Sequence, residues 1–287
     1  IIQDLQEARI LLNEDPVKTE GGLSSGNAGE SSNFLCYRAL RLNYYAVTGL
    51  LARVCLYAGQ RENAFNYSTE VIKASNNGIF PFVDRSLVNG TAQDPDRIFS
   101  PEVLFALSDS QRGELFEEYF DPSLAPNMVF RMETDLLEQT IYGGTGTGGN
   151  LDDYRCRSNW ISSGSARYFY KYSDMTESGR IENTMIPLLR LGEMYLIAAE
   201  SQSNSLANGV SYINTLRKNR GVSNLQTLTT TLLQYEYIRE VYGEGQLFFM
   251  YKRMYSSIIR SNSATNNPAP SNAVFVVPLP DTETENR

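Results

Sequence analysis

The chain has 287 residues, 41% hydrophobic and 20% charged, enough for a sizeable core in one large domain or two ordinary ones. A net charge of -8 argues against nucleic acid as a partner, because binding a phosphate backbone needs clustered Lys and Arg. Histidine is absent, which removes Ser/His and Cys/His dyads and the commonest metal ligand together, leaving carboxylates, Lys or Tyr for any catalysis.

Residues 1–13 place Ile1, Ile2, Leu5, Ala8, Leu11 and Leu12 at helical spacing. This helix opens without a preceding cap, and the chain starts without Met. The N-terminus is therefore expected to be cut from a longer protein, so the missing signal peptide says nothing about export. A loop rich in Gly and Ser follows, EDPVKTEGGLSSGNAGESSN. Residues 38–58 and 61–75 predict a helical pair joined at Gly59, in which Cys55 reads as a small core residue.

From about residue 76 to 180 short apolar strings such as EVLFALS, NMVFRM and ARYFYKYS stand among scattered Gly, Pro and Asp, and predict short strands and loops. The most irregular stretch is GGTGTGGNLDDYRCRSNW, residues 143–160; a long loop of this kind is usually functional or disordered. Helices return at 186–201, 206–220 and 232–255, with Gly221 as a left-handed C′ residue and GEG at 243–245 breaking the last. The tail VFVVPLPDTETENR reads as extended, held so by its prolines. No apolar run approaches the roughly 18 to 20 residues that span a bilayer. The expected organisation is a single domain: helical scaffold over 1–75, a loop and short-strand insert over 76–180, helical scaffold over 181–260, and an extended C-terminal tail over 261–287.

Cys36, Cys55 and Cys156 are widely spaced without a CxxC pair, so neither a metal site nor a disulfide framework is indicated, and no motif calls for a cofactor. GGTGTGG lacks the GK[ST] of a phosphate loop. Asn150, Asp152 and Asp153 could offer oxygen ligands to calcium, but such a cluster is more often a solvated turn. Leu51, Ala52 and Cys55, followed by Gly59 and Ala64, have the offsets of a tetratricopeptide helix pair, and Leu191, Gly192 and Tyr195 repeat the first part. The separation of these two matches far exceeds the period of about 34 residues, so non-repetitive chain has been inserted between helical units.

The strings IIQDLQEARILL, RLNYYAVTGLLARVCLYAGQRENAFNYSTEVI, KYSDMTESGRIENTMIPLLRLGEMYLIAAES, VSYINTLRKNRG, IREVYGEGQLFFMYKR and VVPLP occur in an order and at spacings that resemble the SusD/RagB family of Bacteroidetes nutrient-binding lipoproteins, over nearly the whole chain. The resemblance implies a mainly α fold, with tetratricopeptide-like helix pairs as scaffold and a loop-rich insert containing short strands. It implies binding without chemistry at the cell surface, on the outer membrane, over a SusC-like TonB-dependent transporter to which oligosaccharides or, in some relatives, peptides are handed. Membrane contact would run only through a lipid anchor absent from this chain. The family's N-terminal part, with its signal peptide, lipid-bearing Cys and first helical units, has no counterpart here, so none of the three Cys is carried over as the anchor. The chain also stops just after TETEN, where relatives run a little further.

Sugar rings stack their C–H faces on aromatic side chains while Asp, Asn and Arg satisfy the hydroxyls. Trp160, the single Trp, comes first as a candidate, after a Gly-rich loop and close to Asp152, Asp153, Tyr154, Arg155 and Asn159. Tyr142 and the cluster Phe116, Tyr119 and Phe120 follow. The candidate glycan-binding set is thus Trp160, Tyr154, Tyr142, Asp152, Arg155, Tyr119 and Phe120, with packing onto the core as the alternative for each ring. Tyr57 and Tyr67 read as core or transporter-facing. Arg190, Glu193, Arg217, Arg220, Arg239, Glu240, Glu244 and Arg253 lie inside the family motifs on predicted helices and read as ion pairs and caps that hold the scaffold together. The competing functions are a tetratricopeptide scaffold that binds only protein or peptide, and a glycosidase, for which no motif selects the required pair of carboxylates.

Overall fold

A computed structural model describes residues 1–26, 33–89, 92–144, 146–177, 179–202, 205–259, 262, 265–278 and 280. Helix α1 (Ile2–Leu11) lies across the first helical pair, tied by Arg9 to Glu70 at 2.7 Å, with Ile10 and Leu11 facing solvent. A short helix, α2 (Val17–Glu20), follows. The helix expected from residue 38 instead begins at Tyr44, as α3 (Tyr44–Tyr57). Asn43 is the reason: its Oδ1 accepts the Ala46 N–H at 2.9 Å, a side-chain N-cap. Its Nδ2 donates to the Leu104 and Arg38 carbonyls at 2.8 and 2.9 Å. Arg38 itself stands in a single 3-10 turn and forks onto buried Asp15 at 3.0 and 2.7 Å.

Helix α4 (Arg61–Asn76) turns back along α3 after Gly59, whose φ of +75° is the left-handed conformation glycine adopts at low cost. Leu51, Ala52, Cys55 and Ala64 are fully buried between them, as their spacing predicts. Tyr57 is half exposed instead of core. The centre of the scaffold is α7 (Leu191–Glu200), in which every residue from Leu191 to Ala199 is buried. It packs against α3, α4, α8 (Val210–Lys218) and α9 (Thr230–Val241). A helix contacted all round needs apolar residues on every face, and IAAES is the end of such a run.

The segment expected to be helical from residue 186 is strand first and helix second. β5 (Met185–Arg190) pairs antiparallel with β1 (Val103–Ser108), setting Phe105 opposite Leu189 and Ala106 opposite Pro187. Met185, Pro187 and Leu189 are buried while Ile186 and Leu188 are half-buried, a period of two, and a proline interior to a helix would break it. The remaining strands form a second sheet in the order β2 (Arg131–Glu133), β4 (Ala166–Phe169), β3 (Trp160–Ser163). Around it stand α5 (Arg112–Tyr119), a π-helical turn over Leu136–Ile141 and α6 (Tyr154–Asn159). The irregular stretch read over 143–160 is therefore loop only in its first part.

The last helical segment breaks at GEG as expected, with Gly243 and Gly245 both at φ +74°, and resumes as α10 (Leu247–Met254). The tail is not extended throughout. Asn272–Phe275 form α11, because Phe275 is buried against the rings of Phe248 and Tyr255 at 6.1 and 6.0 Å. The expected extended end, residues 281–287, lies outside the described residues. The fold is mainly α, a helical scaffold carrying an insert of short strands, with two small sheets of which one, β1 with β5, joins the insert to the chain that follows it.

Candidate functional site

The insert is fixed to the scaffold by a buried network of charge. Asp153 caps α6 through the Arg155 N–H at 2.9 Å and also receives the Arg155 guanidinium at 2.9 and 2.6 Å. Arg155 reaches on to Glu236 at 3.0 Å and Glu240 at 3.1 Å, both on α9. Glu240 accepts two further guanidinium groups, Arg190 at 2.9 Å and Arg220 at 2.8 Å, and Arg220 also forks onto Glu102 at 2.7 and 2.5 Å. Burial raises the Glu240 pKa, but Arg220, Arg190 and Arg155 overcome it and hold the carboxyl well below the usual range. The structural role expected for the arginines and glutamates of the motifs is what these contacts show.

Two of the same arginines grip the Gly-rich loop. Arg239 donates to the Ile141 carbonyl at 2.6 Å and to the Thr147 carbonyl at 2.9 Å, and Arg217 donates to the Gly148 carbonyl at 2.8 Å. Glycine is required where the loop passes closest: a Cβ on Gly143 would lie 2.0 Å from the Glu138 carbonyl oxygen.

This architecture corrects the expectation for three candidates. Arg155 is spent on the buried network and cannot meet a ligand from there. Tyr142 is 2% exposed, with its ring in the core beneath Arg239. Trp160 is 5% exposed, opposite Phe169 in the sheet, with ring centroids 4.9 Å from Phe169 and 5.2 Å from Tyr242. One edge of it meets a cavity of about 290 Å³ lined also by Glu138, Leu151, Cys156, Arg157 and Arg167. The charges there are already paired, Arg167 with Glu138, and Arg157 with exposed Asp152 at 2.6 Å. Tyr154 is half-buried and packs on Gly221, whose φ is +74° as expected. Asn150 accepts the Asp152 N–H at 2.8 Å in an exposed turn, Asp152 pairs with Arg157 and Asp153 is held by Arg155, so each of these three side chains already has a partner.

Tyr119 and Phe120 stand differently. Tyr119 is 48% exposed, and its carbonyl accepts the Phe130 N–H at 2.8 Å. Phe120 touches Phe130 edge-on at 5.7 Å. Phe130, 42% exposed, leads into a cavity of about 540 Å³, within the range typical of small-molecule sites. Its walls are aromatic and aliphatic, with Phe130, Tyr242, Phe248, Tyr251, Met132 and Leu136 among them. Arg131 and Asn262 supply the polar groups. Asn262 is set by β2 itself: its Oδ1 accepts the Glu133 N–H and its Nδ2 donates to the Arg131 carbonyl, both at 3.1 Å, so one side chain pairs the strand's free edge.

The lining residues Phe130, Tyr242, Phe248 and Tyr251 were not singled out by sequence reasoning. Phe248 and Tyr251 are three apart on α10, directly after the GEG break; an aromatic pair on one helix face next to a left-handed turn was the available signal. A further cavity of about 490 Å³ lies on the scaffold, between α3, α7, α9 and α10, and is lined by Tyr57, Phe249 and the paired Arg53 and Glu193.

A helical scaffold that carries an aromatic-lined insert of short strands defines the class of protein. Within it the assignment is specific: the sequence model of the SusD family matches residues 109–274, and the chain belongs to that family. Among solved structures it is similar to a putative sugar binding protein from Bacteroides vulgatus ATCC 8482, with 21% identity and a TM-score of 0.64 over 99% of this chain and 62% of that one. It is also similar to surface glycan-binding protein A from Bacteroides thetaiotaomicron in complex with laminarihexaose, with 17% identity and a TM-score of 0.63 over 99% of this chain and 67% of that one. A laminarin binding SusD-like protein matches with 15% identity and a TM-score of 0.51, over 88% of this chain and 59% of that one. The chain thus spans less than two thirds of the length of the first of these. No curated protein matches it in sequence. Among the described residues, no helix is long and apolar enough to cross a membrane.

Proposed function

We propose that this chain belongs to a cell-surface receptor that binds an oligosaccharide and passes it to a SusC-like, TonB-dependent transporter, without a chemical step. In the full-length protein it would be held at the outer membrane by a lipid anchor. The observation that carries this reading is the aromatic-lined cavity of about 540 Å³ entered at Phe130, in a chain of the SusD family. Flat, partly exposed rings with a few fixed polar groups suit the C–H faces and hydroxyls of sugars. Two similar folds are described as glycan-binding or laminarin-binding, which supports a glucan among the ligands. Of the residues expected from sequence, Tyr119 and Phe120 do not line this cavity but support Phe130, through the Tyr119 carbonyl and the Phe120 ring. No carboxylate stands among the described lining residues, so the cavity lacks the pair that a glycosidase needs.

Calorimetric titration with laminarihexaose and a panel of other oligosaccharides tests the reading. Phe130→Ala is expected to weaken binding about tenfold, the loss of one stacked ring, while the variant still unfolds cooperatively. Binding of peptide or transporter alone, with no oligosaccharide bound, would overturn it in favour of a protein-binding scaffold.

A further inference from the structure

One ring that lines the same cavity carries a phenolic proton with no acceptor among the described residues. Tyr251 lies on α10 and is 4% exposed, yet no described residue accepts a hydrogen bond from its hydroxyl. The Ile259 backbone N–H faces the oxygen, which leaves the phenolic proton as the unmet group among the described residues. An unmet buried donor is costly, typically by about 1–3 kcal/mol, and such groups in native proteins call for an explanation. The neighbours here do not supply one. Met132, Leu136, Leu247 and Ile258 beside it carry no side-chain acceptor, Arg131 has donors only, the Asn262 amide is engaged with β2, and the Tyr242 hydroxyl, the other phenol of the lining, makes no hydrogen bond with it.

We propose that the Tyr251 hydroxyl is a specificity-determining group of this cavity, donating to a hydroxyl or ring oxygen of a neutral sugar that enters past Phe130. The proposal rests on the glycan reading and adds the ligand's charge class and the residue that selects it. The apolar floor sets the first: a uronate or sulfate deep in it would lose its hydration against Met132, Leu136 and Ile258, and the one cation among the described lining residues, Arg131, stands in an exposed contact with the Pro126 carbonyl, whereas a neutral hydroxyl loses far less. The second follows because a site built around a polar group discriminates against ligands that leave it unpaired. Burial pushes the Tyr251 pKa up to about 12, so the proton stays on the oxygen as a donor at physiological pH.

The test compares native protein, Tyr251→Phe and Phe130→Ala by calorimetry against laminarihexaose and an oligogalacturonide, with thermal unfolding of each free protein. Tyr251→Phe is expected to bind laminarihexaose about three- to tenfold more weakly and, having lost an unpaired buried hydroxyl, to melt at or above the native temperature. Native protein is expected to prefer the neutral oligosaccharide. Three results overturn the inference alone: equal affinity of Tyr251→Phe, weaker binding accompanied by a lower melting temperature, which marks a structural hydroxyl, or tighter binding of the oligogalacturonide. If the native protein binds no sugar at all, the glycan reading falls and takes this inference with it.

Discussion

The carboxylate of Glu240 occupies the space that a side chain at Gly192 would need: a Cβ built on Gly192 would lie 2.1 Å from Glu240 Oε1. The small residue that sequence spacing marks at the start of α7 is small because a buried, triply paired charge on α9 is pressed against it. Gly192→Ala is therefore expected to destabilise the protein by about 3 kcal/mol, the scale of overpacking plus displacement of a paired buried charge. Chemical denaturation measures it; a change under about 1 kcal/mol would show that the two helices can slide apart at no cost.

Glu240→Gln should be at least as damaging at neutral pH, by about 3–5 kcal/mol, because Arg155, Arg190 and Arg220 would share a partner without charge. The same residue makes an acid limb. Its carboxyl ionises far below the ordinary 4.5 in the fold, so the unfolded chain takes up a proton near that pH while the native chain refuses it. Its contribution is complete above about pH 5 and is lost as pH falls through the folded value. Urea unfolding from pH 7 to 3 is expected to show that decline in the native protein and a shallower one in Glu240→Gln.

Lys171 behaves in the opposite sense. Burial, with Arg190 nearby, brings its pKa down to about 8 although Glu244 faces it. Between that value and its ordinary 10.5 the unfolded chain holds more protons, so stability from this group rises with pH. Lys171→Met is expected to abolish the rise. At pH 7 it should cost no more than about 1 kcal/mol, since Arg190 still holds Glu244 at 2.7 Å and an apolar replacement avoids burying an ammonium.

Trp160→Ala is expected to cost about 3–5 kcal/mol of stability, as for any large ring removed from a core. Any loss of sugar binding in this variant should therefore follow its melting temperature. Undiminished stability together with lost binding would restore Trp160 as a ligand contact.

The scaffold was legible because its signals are local. The buried Leu51, Ala52 and Cys55 sit at helical offsets, and the motif arginines and glutamates lie on helices where only pairing makes burial tolerable. The boundaries that differed turned on tertiary partners. Met185–Arg190 becomes a strand because β1, far back in the chain, lies beside it, and Phe275 ends a helical turn in which it reaches Phe248 and Tyr255. The site was less legible for the same reason. Residue type marks Trp160 and Tyr142 as rings able to stack, but the pairing of β3 with β4 turns Trp160 onto Phe169. Phe130, Tyr242 and Tyr251 meet from three separate segments, and no periodicity within one segment reports such a meeting.

Arg217 and Arg239 hold the Gly-rich loop by the oxygens of Ile141, Thr147 and Gly148, groups that every residue possesses. An anchorage of that kind is indifferent to side-chain identity except where the path is narrow, at Gly143, Gly144 and Gly149, or left-handed, at Gly146 and Gly148. Exposed positions just beyond the loop, Leu151 and Asp152, can accept new side chains without releasing it from α8 and α9. Stability and surface chemistry are thereby written in different parts of the chain, so the outer face of the insert can diversify while the core that carries it stays as it is.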